Sequence, residues 1–215
     1  MTTPRPTTLR RAGIAGIVGG AATAASGLLV QGFVQPTSTV PDTMWSYPWS
    51  SEALVPVSIV YSVLHALVFV GVLGFARSGV TGASRAARFG SLLALAGTAL
   101  YVVAELASIP TKDQPIDSIA AGVVGTTFGV ATGLSAIGFL VAGVATLRAR
   151  SWRGWRRVVP LVTGLWLVAM IGLAATKALG AGVGIYGLCI LVLGVALLTE
   201  PTPSAASVPP IAARA

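Results

Sequence analysis

The residues best suited to chemistry in this chain of 215 are few. Glu105 is the only carboxylate set well inside a long apolar stretch, and His65 is the only histidine. Tyr61 stands four residues before His65 and Tyr101 four before Glu105, so each phenol shares a helix face with an ionisable group. A neutral carboxylic acid in apolar surroundings serves as a general acid, and an imidazole or phenol beside it can pass the proton on. An intramembrane cyclase or isomerase acting on an isoprenoid or lipid needs little more. In that reading Glu105 is the general acid, helped by Tyr101, His65 or Tyr61. The same residues also suit a purely binding role, holding the polar group of an apolar ligand.

A second set could recognise a ligand. Gln31, Glu105 and Lys177 each put one polar side chain near the same end of an apolar stretch. Counted along helices, Glu105 lies about 7 Å below its boundary at Pro110, with Lys177 at similar depth, so a structural Glu105–Lys177 ion pair competes with any functional reading. By the same count His65 lies roughly 10 Å deeper than Glu105, too far for a direct bond, with Tyr61 and Tyr101 at depths that could bridge them. Trp45, Tyr47 and Trp49 fall within five residues, between prolines and small polar residues. They read as an interfacial anchor or as a lid touching an apolar or sugar-like ligand. A metal site is not expected, because one His and one Glu supply too few ligands.

The elements that must position these groups follow from composition. Hydrophobic residues make up 54% of the chain and charged ones only 9%, far below the quarter of a soluble domain. A soluble enzyme, a disordered chain and a coiled coil are excluded. A membrane helix needs about 20 mostly apolar residues. Six stretches qualify: Ala12–Val34, Ala53–Ala76, Phe89–Ile109, Ile119–Leu147, Val158–Leu179 and Gly182–Thr199. The expected fold is all-α and polytopic, with six transmembrane helices in three hairpins. All twelve arginines fall on one side of this arrangement, whereas Asp42, Glu52, Lys112, Asp113 and Asp117 fall on the other. Positive residues stay cytoplasmic. Both termini are therefore expected inside a bacterial cytoplasmic membrane, in a multi-pass protein. The net charge of +8 is thus a topology signal and not a nucleic-acid signal.

The first span also has the basic start, apolar run and small Ala22-Thr23-Ala24 of a signal peptide, but it is long enough to cross. Residues 1–200 form one six-helix domain. The tail Pro201–Ala215 is rich in Pro, Ser and Ala, and it and Met1–Thr8 are expected to be disordered. The ten residues Arg148–Arg157 hold five Arg and two Trp and could lie on anionic headgroups, and topology alone explains the Arg equally well.

Two overlapping GxxxG units, Gly125–Gly129–Gly133, mark one face of the fourth span as a site of close helix packing. That face should place the fourth helix centrally, or else form a homo-oligomer or a larger membrane complex. Arg11-Ala12-Gly13 and Arg88-Phe89-Gly90 open two spans, and Gly20 and Gly97 follow seven residues later. A triplicated hairpin and chance in a Gly-rich chain explain this about equally. Gly133-Leu134-Ser135 in the fourth of six spans resembles the nucleophile segment of rhomboid proteases. That resemblance implies a histidine base in the sixth span. Gly182–Thr199 has none, so Ser135 is not activated. Cys189 is the single cysteine, read as a small buried hydrophobe. Walker A, GxGxxG with an acidic partner, HExxH and CxxC are all lacking, and no cofactor is expected. The first expectation is a membrane protein that binds a lipidic or apolar ligand or serves as an accessory subunit, with membrane lipids around it. The intramembrane enzyme is the second.

Overall fold

The computed structural model describes residues 7–174 and 176–199, and within them the chain is built of helices. Six are long and apolar enough to cross a membrane. The first, α1, covers Thr7–Leu29 and continues through a π-helical turn, Val30–Val34, into Gln35–Thr37. The others are α2 (Ser51–Arg77), α3 (Arg85–Thr111), α4 (Ile119–Ala149), α5 (Val159–Leu173, whose span begins in a 3-10 turn, Gly154–Val158) and α6 (Leu179–Thr199). Ser50, Ser84 and Ser118 each precede a helix in extended backbone and accept a hydrogen bond from the N–H three residues on. Each thereby satisfies one of the N–H groups that a helix start leaves bare. Thr7 and Thr8, expected to be disordered, already belong to α1. The 201–215 tail lies outside the described residues.

Each helix packs on the next along the chain, and α6 returns to α1, which closes a ring. The two most intimate seams are α1·α6 and α3·α4. Glycine builds both, at intervals of seven. Gly13, Gly20 and Gly27 of α1 meet α6 at Gly194, Gly187 and Gly184, and a Cβ on Gly27 would lie 2.5 Å from the Gly184 nitrogen. Gly90 and Gly97 of α3 meet α4 in the same way, and a Cβ on Gly90 would lie 2.7 Å from the Ala142 nitrogen. Lipid tails are as apolar as the helices, so such close backbone packing is what holds helices together there.

The packing face of α4 is not the expected one. Gly125 meets only the Trp45 ring, at 3.8 Å, and a Cβ on Gly129 or Gly133 would meet nothing within 4 Å. The helix instead packs through Gly138 against Ala94 and through Gly143 against Leu161. Seven-residue spacing on α3 sets the register of the seam, and it selects Ala131, Ser135, Gly138 and Ala142 of α4.

The two ends of the ring differ. At the Arg-rich end Phe75 and Phe139 stack, with ring centroids 6.2 Å apart, and Trp152 lies 5.9 Å from Phe75. Trp152 comes from the Arg148–Arg157 segment yet is buried with the core. Its neighbour Trp155 is exposed and carries the Arg156 guanidinium 5.3 Å over its ring. At the other end the connection after α1 is zipped to the connection after α3. Trp45 N–H donates to Gln114 O (2.9 Å), Ile116 N–H donates to Thr43 O (2.8 Å), and Met44 bridges to Pro115.

Candidate functional site

α2 and α3 bring the ionisable pair together. Ser58, Tyr61, Ser62 and His65 share the inward face of α2, and Tyr101, Glu105 and Ser108 share that of α3. His65 Nδ1 lies 3.7 Å from Glu105 Oε1, with side chains 8% and 14% exposed. Both groups are thus enclosed by protein. The expected gap of roughly 10 Å is overturned. Side chains tilt toward the N-terminus of their own helix, and α2 and α3 are neighbours running in opposite directions. His65 therefore leans toward the loop-bearing end while Glu105 leans toward the Arg-rich end, and the two meet in between.

Aromatic rings line the His65 side of the pair. The His65 imidazole stacks on Tyr101, with centroids 5.0 Å apart and planes 16° from parallel. Tyr61 lies 6.4 Å from the imidazole. Tyr101 in turn meets Phe128 of α4 at 6.4 Å and Tyr186 of α6 at 6.2 Å. The Tyr101 hydroxyl donates to Thr132 Oγ1 (2.9 Å), which donates to the Phe128 carbonyl (2.8 Å). Tyr101 is therefore a stacking platform anchored to α4. It does not form a hydrogen-bonded bridge from His65 to Glu105. Neither Phe128, Thr132 nor Tyr186 stood out as a site residue in the sequence. The only signal for Tyr186 was a lone phenol in an otherwise apolar helix.

Several buried polar atoms here make no hydrogen bond among the described residues: His65 Nδ1, Tyr186 OH, Ser58 Oγ and Ser62 Oγ. Buried polar atoms are normally paired, and an unpaired one is especially costly in lipid. As a unit, imidazole and carboxyl are neutral overall whether one labile proton sits on His65 or on Glu105. A second proton makes the pair cationic, and loss of the first makes it anionic. Among the described residues no three His, Cys, Asp or Glu side chains converge to hold a metal ion.

The remaining candidates sit elsewhere. Lys177 does not reach Glu105. α5 ends at Leu173, short of the expected Leu179, and the connection carries Lys177 out to 83% exposure, 3.9 Å from Asp42. An ammonium gains more from water than from the edge of hydrocarbon. Lys177 joins Gln31 and Tyr47 around a shallow pocket of about 370 Å³ at the loop-bearing end. Gln31 Oε1 accepts from Ala181 N–H (3.1 Å), tying the end of α1 to the start of α6. Trp45 and Trp49 are half-buried, and Trp45 covers Gly125. The loop aromatics thus lie at the loop-bearing end, apart from the His65–Glu105 pair. In that connection Lys112 Nζ lies 2.6 Å from Asp113 Oδ2 and holds this exposed carboxyl below its usual range. Compared with protein-family models, curated proteins and solved structures, the chain finds no match among any of the three.

Proposed function

We propose that this small integral membrane protein resides in a bacterial cytoplasmic membrane, with both termini and the Arg-rich segments on the cytoplasmic side and its spans laid out as three hairpins. Its function centres on His65 and Glu105, which receive the polar group of an apolar or lipidic ligand. One observation carries this reading. The imidazole and carboxyl stand 3.7 Å apart, with Tyr61 and Tyr101 against the imidazole and Tyr186 behind Tyr101, while the other described acidic residues lie at the loop-bearing end. An ionisable pair kept within a membrane bundle is a functional site by default, since apolar residues would pack there at less cost.

A second reading is favoured by the closeness of the pair. A carboxyl with an imidazole beside it can give a proton to a substrate and be reloaded. Glu105 would then act as general acid on an isoprenoid or lipid, with His65 restoring its proton. Both readings are tested by purifying the wild-type chain and Glu105→Gln in lipid-preserving polymer particles and profiling the co-purified lipids. Binding predicts a species enriched over the bulk membrane with the wild type and lost with Glu105→Gln. Catalysis predicts in addition a converted product that appears only with the wild type. Identical lipid profiles for the two proteins would sink both readings.

A further inference from the structure

The α3·α4 seam holds a second feature, remote from His65 and Glu105. The helices touch at Gly90 and Gly138. Beside that crossing, on its Arg-rich side, lies a groove of about 640 Å³ between the start of α3 and the end of α4. Its walls are Ala86, Leu140, Val141 and Val144, the 81–84 turn closes one side, and Arg148 stands at its edge as the one charged lining residue. Arg85, Arg88 and Arg150 are exposed at the same end. The described acidic residues at the ring's surface, Asp42, Glu52, Asp113 and Asp117, all lie at the opposite end. The groove therefore joins an apolar trough, sunk into the membrane-spanning part of two helices, to a field of arginines with no described acidic residue at the same end.

We propose that this groove holds one acyl chain of an anionic phospholipid, whose phosphate pairs with Arg148. A guanidinium presents its N–H groups in a fork that matches phosphate oxygens, which a zwitterionic headgroup partly neutralises with its own ammonium. Anionic headgroups are drawn to such juxtamembrane arginines. The wall of aliphatic side chains supplies no hydrogen bond, so it selects a hydrocarbon chain and not a second polar group.

The test uses the full chain reconstituted in nanodiscs of mixed phosphatidylglycerol and phosphatidylcholine, then released into mild detergent for native mass spectrometry. One phosphatidylglycerol is expected to stay bound per chain in preference to phosphatidylcholine. Arg148→Gln should lower that preference about fivefold, the effect of one arginine at the surface. Arg153→Gln, which removes the same charge outside the groove, should leave the preference as it was. Val144→Trp fills the groove without changing charge and should reduce retention of both lipids. Excess inorganic phosphate should not displace the lipid. Equal retention of the two lipids would overturn the proposal. So would equal losses for Arg148→Gln and Arg153→Gln, full retention by Val144→Trp, or displacement by phosphate.

Discussion

Two aromatic clusters fill the ring, about three turns apart along α2 and different in polarity. On α2, Phe75 belongs to one and His65 to the other. Both stack nearly parallel rings across the interior, at 20° and 16°. The Phe75–Phe139–Trp152 cluster is apolar apart from the Trp152 N–H, buried without a partner among the described residues, and merges with Val72, Leu193 and Leu197 into a core that extends to Tyr186. The His65–Tyr101–Tyr186 cluster has the same packing form but adds an imidazole, phenols and a carboxyl. Phenylalanine could fill that space without burying unpaired polar atoms. The comparison separates two kinds of packing: the first cluster buries rings with a single indole N–H among them, and the second buries an imidazole, phenols and a carboxyl that closing the ring does not require.

Substitutions sharpen that contrast. Phe139→Ala should be the most damaging, at about 3–5 kcal/mol, because losing the ring leaves a cavity in a tightly filled core. An SDS-unfolding titration measures it, and a cost no larger than that of a surface change would show that the Phe75–Phe139 stack does not close the ring. Gly138→Val should follow, at about 1–3 kcal/mol, since the new side chain meets the backbone of Ala94. Gly129→Val on the same helix has open space and should stay within about 0.5 kcal/mol. Equal costs at the two glycines would mean that the GxxxG face is packed after all. Tyr101→Phe keeps the stack and loses only the hydroxyl, so about 1 kcal/mol is expected. A much larger loss would show that the hydroxyl serves more than its bond to Thr132.

How much of this was written in the sequence depends on the level. The six spans were legible because 20 apolar residues in a row have one physical outcome in a membrane protein. Their ends were less so. Lys177 seemed to prolong the fifth span, but an ammonium follows water, and α5 stops at Leu173. The candidate residues Glu105, His65, Tyr101 and Tyr61 were all nameable, since ionisable and phenolic groups are scarce in such spans. Their mutual placement was not. Counting rise per residue locates Cα atoms, whereas antiparallel neighbours lean their side chains toward each other. The GxxxG spacing on α4 was equally incomplete evidence. Spacing shows that a face could pack closely, but the register imposed by Gly90 and Gly97 of the neighbouring helix decides which face does. Trp152 was hidden among arginines, where composition pointed to headgroups and the structure buries the ring.

The central claim is that Glu105 is paired with His65 inside the ring and independent of Lys177. Two double-mutant cycles in the same reconstituted protein test it most directly. For His65→Gln with Glu105→Gln, the account predicts a coupling energy of about 1 kcal/mol or more, in the range for residues in contact. For Lys177→Gln with Glu105→Gln it predicts additivity within about 0.5 kcal/mol. Additive losses at His65 and Glu105, or measurable coupling between Lys177 and Glu105, would contradict it.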